Sequence, residues 1–319
     1  MSIGDASDRS GVKFMQVIND QLYAIKEASI WRIQLADEID PERTNTRIPN
    51  VQQRVASCGT SSKVVSRTLI QAIELTKNRS WGLPVSVDGV LISALRAAQA
   101  GSLIDNNIVR LEEHASVTKK ELSELTSMKN FALPSYPELD NLWASSLYAI
   151  SAFRSAIRDL VVSIFPENEM GANWLSDLKR RVDFKPARFF DNEKAFSNIE
   201  HDMKLVREFR NIEQHPKANR YVNLSDYWMR QDGQIGAPCL HIVGLDKDEI
   251  LTEISDFLGQ MRDCLTFAYE MILLWSVSTA INPFLGQKPI IIHNENCEET
   301  PNCRYSLAIE FDGKTSVLG

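Results

Sequence analysis

Cysteine is scarce in this 319-residue chain: five residues, at positions 58, 239, 264, 297 and 303. An odd, scattered set does not build a disulfide framework, and it suits a reducing cytoplasm. Long apolar runs are missing as well. A membrane span needs about 18 uninterrupted apolar residues. The most apolar stretch, Phe267 to Ile281, is shorter and carries Glu270. It reads as a buried helix, and no membrane partner is expected. The N-terminus lacks a basic segment followed by an apolar run, so no secretory signal is expected. There is no Gly-rich phosphate loop and no Gly-x-Ser-x-Gly elbow, and Glu112-Glu113-His114 does not make His-Glu-x-x-His. Positive charge is in deficit, 35 Lys and Arg against 42 Asp and Glu, for a net charge of -7. Nucleic-acid contact therefore has to come from a local basic patch, because phosphate binding needs Lys and Arg.

What is present is an ordinary globular composition, 44% hydrophobic and 24% charged, with enough apolar side chains for a sizeable core. The first ten residues, MSIGDASDRS, are small and polar and expected to fray. From Phe14 to Ile39 the apolar positions Phe14, Val17, Ile18, Leu22, Ile25, Ile30, Ile33 and Leu35 recur mostly at three and four. That spacing predicts an amphipathic helix ended by Asp40-Pro41. A second helix is expected from Ser61/Ser62 through Leu75, closed by Gly82 and Pro84. A third is capped by Asp88 and broken at Gly101. Leu103 to His114 adds another, and Thr118-Lys-Lys-Glu121 forms a capping box before a further short run. Lys129 to Pro137 reads as a linker.

Beyond it, the periodicity predicts a long helix from Pro137 to Ile164, a short basic one from Trp174 to Phe190, and another from Glu193 to Gln214. Asp232-Gly233 between two β-prone runs predicts a hairpin within Tyr221 to Gly244. Asp246-Lys-Asp-Glu249 resembles a capping box that opens a helix from Ile250 to about Ile281. Two strands, Pro289–His293 and Tyr305–Phe311, complete the tail. The expected fold class is mainly α: a helical bundle with an inserted β-hairpin and a small β tail. The expected segments are an N-terminal helical region, 1–130, a bundle, 131–285, and the β tail, 286–319.

One stretch has the residue types for chemistry. In Arg207-Glu-Phe-Arg210-Asn211-Ile-Glu-Gln-His215-Pro-Lys217, Asn211 and His215 are four apart and share a helix face. Arg210 and His215 are five apart, about 140° around a regular helix, and Pro216 can release His215 from that constraint. Such a set suits RNA cleavage without a metal. An imidazole can take a proton from a 2'-hydroxyl or give one to the leaving oxygen. A guanidinium holds the scissile phosphate and the charge developing on it. The internal nucleophile restricts the substrate to RNA.

Arg210-Asn211-x-x-x-His215 resembles the Arg-x(4–6)-His motif of the HEPN superfamily (higher eukaryotes and prokaryotes nucleotide-binding domains), in which a polar residue, often Asn, follows the Arg. The resemblance covers about Pro137 to Ile281. It implies a bundle of four or five helices, a homodimer whose two motifs line one cleft, and a metal-independent endoribonuclease of toxin–antitoxin or antiphage type. That activity uses no cofactor, and it can come with an antitoxin or regulatory protein as partner. Arg210, Asn211 and His215 carry the catalytic roles by this resemblance. Some members are inactive scaffolds. In that alternative Arg210 pairs with Glu208 or Glu213, and His215 satisfies the helix end.

RNA-binding candidates are Lys179, Arg180, Arg181, Lys185, Arg188, Arg207 and Lys217. The first five form a basic cluster interleaved with Phe184, Phe189 and Phe190, read either as a phosphate-tracking patch or as a solvated helix face with core anchors. His293, Cys297 and Cys303 lack a standard zinc spacing and a fourth ligand, so no metal is expected. His201, on the motif helix about four turns before His215, reads as structural, and His241 has no partner legible in the sequence.

Overall fold

Between Ile18 and Gln21 the chain reverses through two residues with positive φ, Asn19 at 49° and Asp20 at 58°. Asn and Asp tolerate that left-handed geometry, and two such residues in a row make the hairpin turn whose twist matches flanking strands. In the computed structural model, β1 (Val12–Ile18) and β2 (Gln21–Lys26) accordingly pair antiparallel across this turn. β3 (Ile30–Gln34) and β4 (Val51–Ala56) extend them into a four-stranded meander. The helix expected over Phe14–Ile39 is thus overturned, apart from the single turn α1 (Ala36–Ile39). The reason is local: the segment is rich in β-branched and aromatic residues, and Asn19-Asp20 interrupts it with a hairpin turn. Ile25, Ile30 and Ile33 are buried in either reading.

The structure describes residues 3–4, 8–77, 86–125, 132–165, 170–171, 173–182, 192–245, 248–281, 290–293, 303–311 and 314–317. Of these, 53% are helical and 24% are in strands, which form four antiparallel sheets. The mainly α expectation is therefore corrected to a mixed fold, and "all-α" does not apply.

After the meander come α2 (Lys63–Val65), a π-helical turn (Ser66–Ile70) and α3 (Gln71–Thr76), where the second helix was expected. Gly82 and Pro84 lie outside the described residues. Then α4 (Val87–Leu125) runs without a break through Gly101 and Thr118. α5 (Leu139–Ile164) and α7 (Asn192–Gln214) follow as expected; α6 (Trp174–Arg181) starts where expected but stops at Arg181, where Val182 turns extended, and residues 183–190 of the basic segment lie outside the described residues. β5 (Tyr221–Ser225), the pair β6 (Trp228–Met229) and β7 (Ile235–Gly236), and β8 (Cys239–Leu245) enlarge the predicted hairpin. Gly233, at φ 79°, supplies its turn. β9 (Asp248–Glu253) replaces the expected first turn of the closing helix. Ile250, Leu251 and Thr252 pair with β8, because β-branched residues beside an open strand edge gain more as a ladder than as a helix start. α8 (Ile254–Ala280) begins after it. The tail holds β10 (Ile290–His293), β11 (Tyr305–Phe311) and a third strand, β12 (Lys314–Val317).

The chain groups into two compact units. The first comprises residues 1–102, 153–197 and 266–319, the second residues 103–152 and 198–265. The division passes through α4, α5, α7 and α8. Among the described helices, α4 alone has the length and composition of a membrane span, over Val87–Lys120, and 61% of its apolar window is buried in protein.

In the first unit, Gly101 does not break α4; it lets another element in. A Cβ there would sit 2.2 Å from Val64 Cγ1 and 3.2 Å from Phe153. Val64 and Phe153 are both buried. Gly101→Ala gains about 0.5–1 kcal/mol of helix propensity but forces overpacking that costs about 1–3 kcal/mol. Net destabilisation of about 1 kcal/mol is expected in urea titration, with partial recovery when Val64→Ala is added.

Also in the first unit, the buried Lys26 ammonium ties the N-terminal segment to the meander. It donates to the carbonyl oxygens of Ile3 (2.9 Å) and Asp8 (2.5 Å), and stands 3.6 Å from the Asp8 carboxylate. Burial raises the Asp8 pKa, but hydrogen bonds from Ser10 and Ser29 and the Lys26 charge outweigh it and hold the group at about 2. A depressed folded pKa contributes stability that is present above the ordinary carboxylate range and lost as pH falls through about 2. Thermal melts at pH 5 and pH 2 should show that loss in the wild type and a smaller one in Asp8→Asn.

Candidate functional site

Along α7 the buried side chains are Met203, Val206, Phe209 and Ile212, one every third residue. Phe209 stacks edge-on to Trp143 at 5.9 Å and tilted against Phe257 at 4.7 Å. That aromatic cluster sets the rotation of the helix within the second unit. With those positions inward, Arg207, Arg210, Asn211 and Gln214 are exposed. The same periodicity that predicted the helix therefore also predicted which side of it meets water.

α7 ends at Gln214, and the His215 amide still donates to the Asn211 carbonyl at 3.0 Å. Pro216, which has no N–H, stops the ladder. The chain then turns through reciprocal backbone bonds between Lys217 and Arg220, 2.7 and 2.9 Å, into β5. His215 and Lys217 are exposed. All of Arg207, Arg210, Asn211, His215 and Lys217 thus lie on one accessible helix end of the second unit.

Its electrostatics are unbalanced. Glu208 takes Lys204 (3.8 Å) and Arg220 (3.9 Å) as partners. Among the described residues, no hydrogen bond or ion pair joins the side chain of Arg207, Arg210, Asn211 or His215. The pairing of Arg210 with Glu208 or Glu213, expected for a purely structural role, is not formed there. Elsewhere in the same unit guanidiniums are matched: Arg262 bonds Asp105 at 2.7 Å and Asp263 at 2.9 Å, and Arg230 faces Asp232 at 3.6 Å.

The α6 candidates belong to the first unit. Trp174 and Leu178 anchor α6. Lys179 lies over the Phe196 ring at 5.5 Å, and Arg180 pairs with Asp177. A backbone hydrogen bond from Gly171, with Arg180 behind it, lowers the Asp177 pKa. Arg181 is exposed. Lys185 and Arg188, with Phe184, Phe189 and Phe190, lie outside the described residues.

The remaining candidates resolve as structural groups. Cys303 is buried, with Sγ 3.7 Å from Gln71 Oε1, and the His293 ring sits edge-on to Tyr305 at 5.7 Å. Cys297 lies outside the described residues. Among the described residues no group of three or more His, Cys, Asp or Glu is placed to hold a metal ion. Burial, with Asp202 and Asp263 behind it, pushes the Cys264 thiol up to about 11, and burial raises that of Cys239. Neither is an activated nucleophile. His241 bonds Glu249 at 2.5 Å across β8 and β9, and His201 is exposed on α7.

One cluster had no signal in the sequence. His114 Nδ1 meets the Tyr227 hydroxyl at 2.9 Å, Thr118 approaches at 3.3 Å, and the Tyr136 ring packs at 4.6 Å. Asp226 accepts the amides of Tyr136 (2.9 Å) and Tyr227 (2.8 Å). These residues come from α4, the segment before α5 and the β5–β6 connection, and Tyr227 is buried. The arrangement rivets three segments of the second unit.

The HEPN resemblance rests on the motif alone. In comparisons with protein families, with characterised proteins and with solved structures, this chain matches none.

Proposed function

We propose that the exposed end of α7 is a metal-independent ribonuclease site. His215 moves the proton of the 2'-hydroxyl or the leaving oxygen. Arg210 binds the scissile phosphate, and Asn211 orients one of them. The observation that supports this reading most is the lack of any side-chain partner for Arg210, Asn211 and His215 among the described residues, in a unit where Arg220, Arg230 and Arg262 are matched. An accessible guanidinium and an accessible imidazole at one helix end supply an anion contact and a proton shuttle. Arg207 and Lys217 add positive charge for the flanking phosphates. By the resemblance, two copies pair so that both motifs share a cleft, and a toxin or defence role follows, with an antitoxin or regulatory protein as a further partner.

A second reading, RNA binding without cleavage, is favoured by helix geometry. Five residues along a regular helix separate Arg210 from His215 by about 140°, and His215 remains bonded to Asn211 through its backbone. Incubating the purified protein with RNA in excess chelator separates the two. Cleavage products support the nuclease, and retarded but intact RNA supports the binding protein. RNA that is neither cut nor retarded removes both.

A further inference from the structure

Beyond the end of α7, in the second unit, the chain enters a sheet whose two faces differ. Its strands lie in the order β5-β8-β9. Leu240 and Ile242, on one face of the central strand, are fully buried. His241, between them in sequence, belongs to the other face, as alternate residues of a strand do. The register sets Asn223 and Leu251 on either side of it. Asn223 is exposed and Leu251 is 61% exposed, so this face meets solvent along that row. Tyr221, two residues before Asn223, falls on the same face, and its ring meets that of His241 at right angles with centroids 6.0 Å apart. Both residues are partly exposed. Glu249 holds the imidazole from β9 at 2.5 Å. The face thus carries two rings and an amide, groups on which unpaired bases stack and to which their edges hydrogen-bond.

The face begins where α7 stops. Tyr221 is six residues from His215, which puts their Cα atoms at most about 22 Å apart. The reciprocal Lys217–Arg220 bonds fold that segment back and shorten the distance. Charge is graded along the same direction. Arg207, Arg210 and Lys217 are exposed at the α7 end, whereas β9, at the far side of the sheet, carries Asp248, Glu249 and Glu253. Phosphates are drawn to the α7 and β5 side and repelled from β9. On the reading of the α7 end as an RNA site, we propose that this sheet face binds the unpaired bases of the same RNA, which makes single-stranded RNA the substrate class. The backbone of the strand stays by Arg210 and Lys217, its bases lie on Tyr221 and His241, and Asn223 hydrogen-bonds a base edge. A duplex keeps its bases stacked and paired, and offers the rings nothing to stack on.

Fluorescence anisotropy tests it, with the full chain carrying His215→Ala so that the RNA stays whole. The probes are a labelled single-stranded RNA of about ten nucleotides, within the usual site size for such strands, and the same strand in a duplex. The single strand is expected to bind at least tenfold more tightly than the duplex. Tyr221→Ala should weaken it about tenfold, the loss of one stacked base, and Tyr221→Phe should bind like the parent because the ring survives. Asn223→Glu, at an exposed position that tolerates change, should weaken it at least tenfold by setting a carboxylate among the bases. Circular dichroism confirms the fold of each variant. The proposal alone is overturned if the duplex binds as tightly as the single strand. It is also overturned alone if Tyr221→Ala and Asn223→Glu leave affinity unchanged while Arg207→Ala and Lys217→Ala lower it. Failure to bind either RNA overturns it together with the reading of the α7 end. Binding that responds to Tyr221 and Asn223, in a protein whose wild type cuts no RNA, supports the sheet face and overturns the ribonuclease.

Discussion

In denaturant titrations, Glu270→Ala is expected to lose about 3–5 kcal/mol of folding stability, the cost of breaking a buried ion pair from one side. Glu270 lies on α8 with no solvent exposure, in a run that is otherwise apolar. Arg67, on the π-helical turn, donates to it at 2.5 and 2.8 Å, and Arg304, just before β11, donates through Nε at 2.9 Å and again through its terminal nitrogen. One carboxylate thereby joins three segments of the first unit. Gln71 continues the seam: its amide donates to the Tyr305 carbonyl at 2.7 Å and accepts the Tyr305 amide at 3.0 Å. Removing Glu270 strands two guanidiniums whose side chains are only 18% and 33% exposed. Removing all three charges is a different experiment. Glu270→Leu with Arg67→Met and Arg304→Met should recover most of the loss, since apolar replacements of a whole buried triad are often neutral or better. A midpoint for Glu270→Ala within about 1 kcal/mol of wild type would show that the seam contributes little.

On the ribonuclease reading, His215→Ala should lower the rate of RNA cleavage by about 10²–10⁴-fold, the usual contribution of a positioned general acid or base. Arg210→Ala should cost about 10²–10³-fold by losing a donor to the developing charge. Both side chains are exposed on the solvent side of α7, so urea midpoints should move by less than about 0.5 kcal/mol. That combination, activity lost and stability kept, is what a purely structural Arg210 and His215 could not produce. If both variants cleave at the wild-type rate, the catalytic assignment is wrong. Arg207→Ala and Lys217→Ala serve as a graded comparison. They should weaken RNA binding and flatten its salt dependence, while the cleavage rate of bound RNA holds.

The long helices were legible because their apolar periodicity extends over many turns. α5 and α7 lie within a few residues of their expected ends, and so does the Asp232-Gly233 hairpin. The N-terminal meander was not. Spacings of three and four among β-branched residues fit both a helix stripe and strands joined by turns, and Asn19-Asp20 was the signal that decided between them. Gly101 misled in the other direction. A glycine inside a helical pattern reads as a breaker, and only the neighbours Val64 and Phe153 show it to be a site of close approach. At Asp248 and Glu249, the half of the expected capping pattern that lies within the described residues, an available strand edge, β8, draws the chain into β9 instead.

Sequence alone determined α5 and α7 and their inward faces, because helical periodicity is a local property that propagates along the chain. Tertiary structure decided the rest. The partners of Glu270 lie 203 and 34 residues away, and His114 meets a tyrosine 113 residues on. Which distant charges neutralise one another depends on what the folded chain brings within a few ångströms, a quantity that no local spacing encodes.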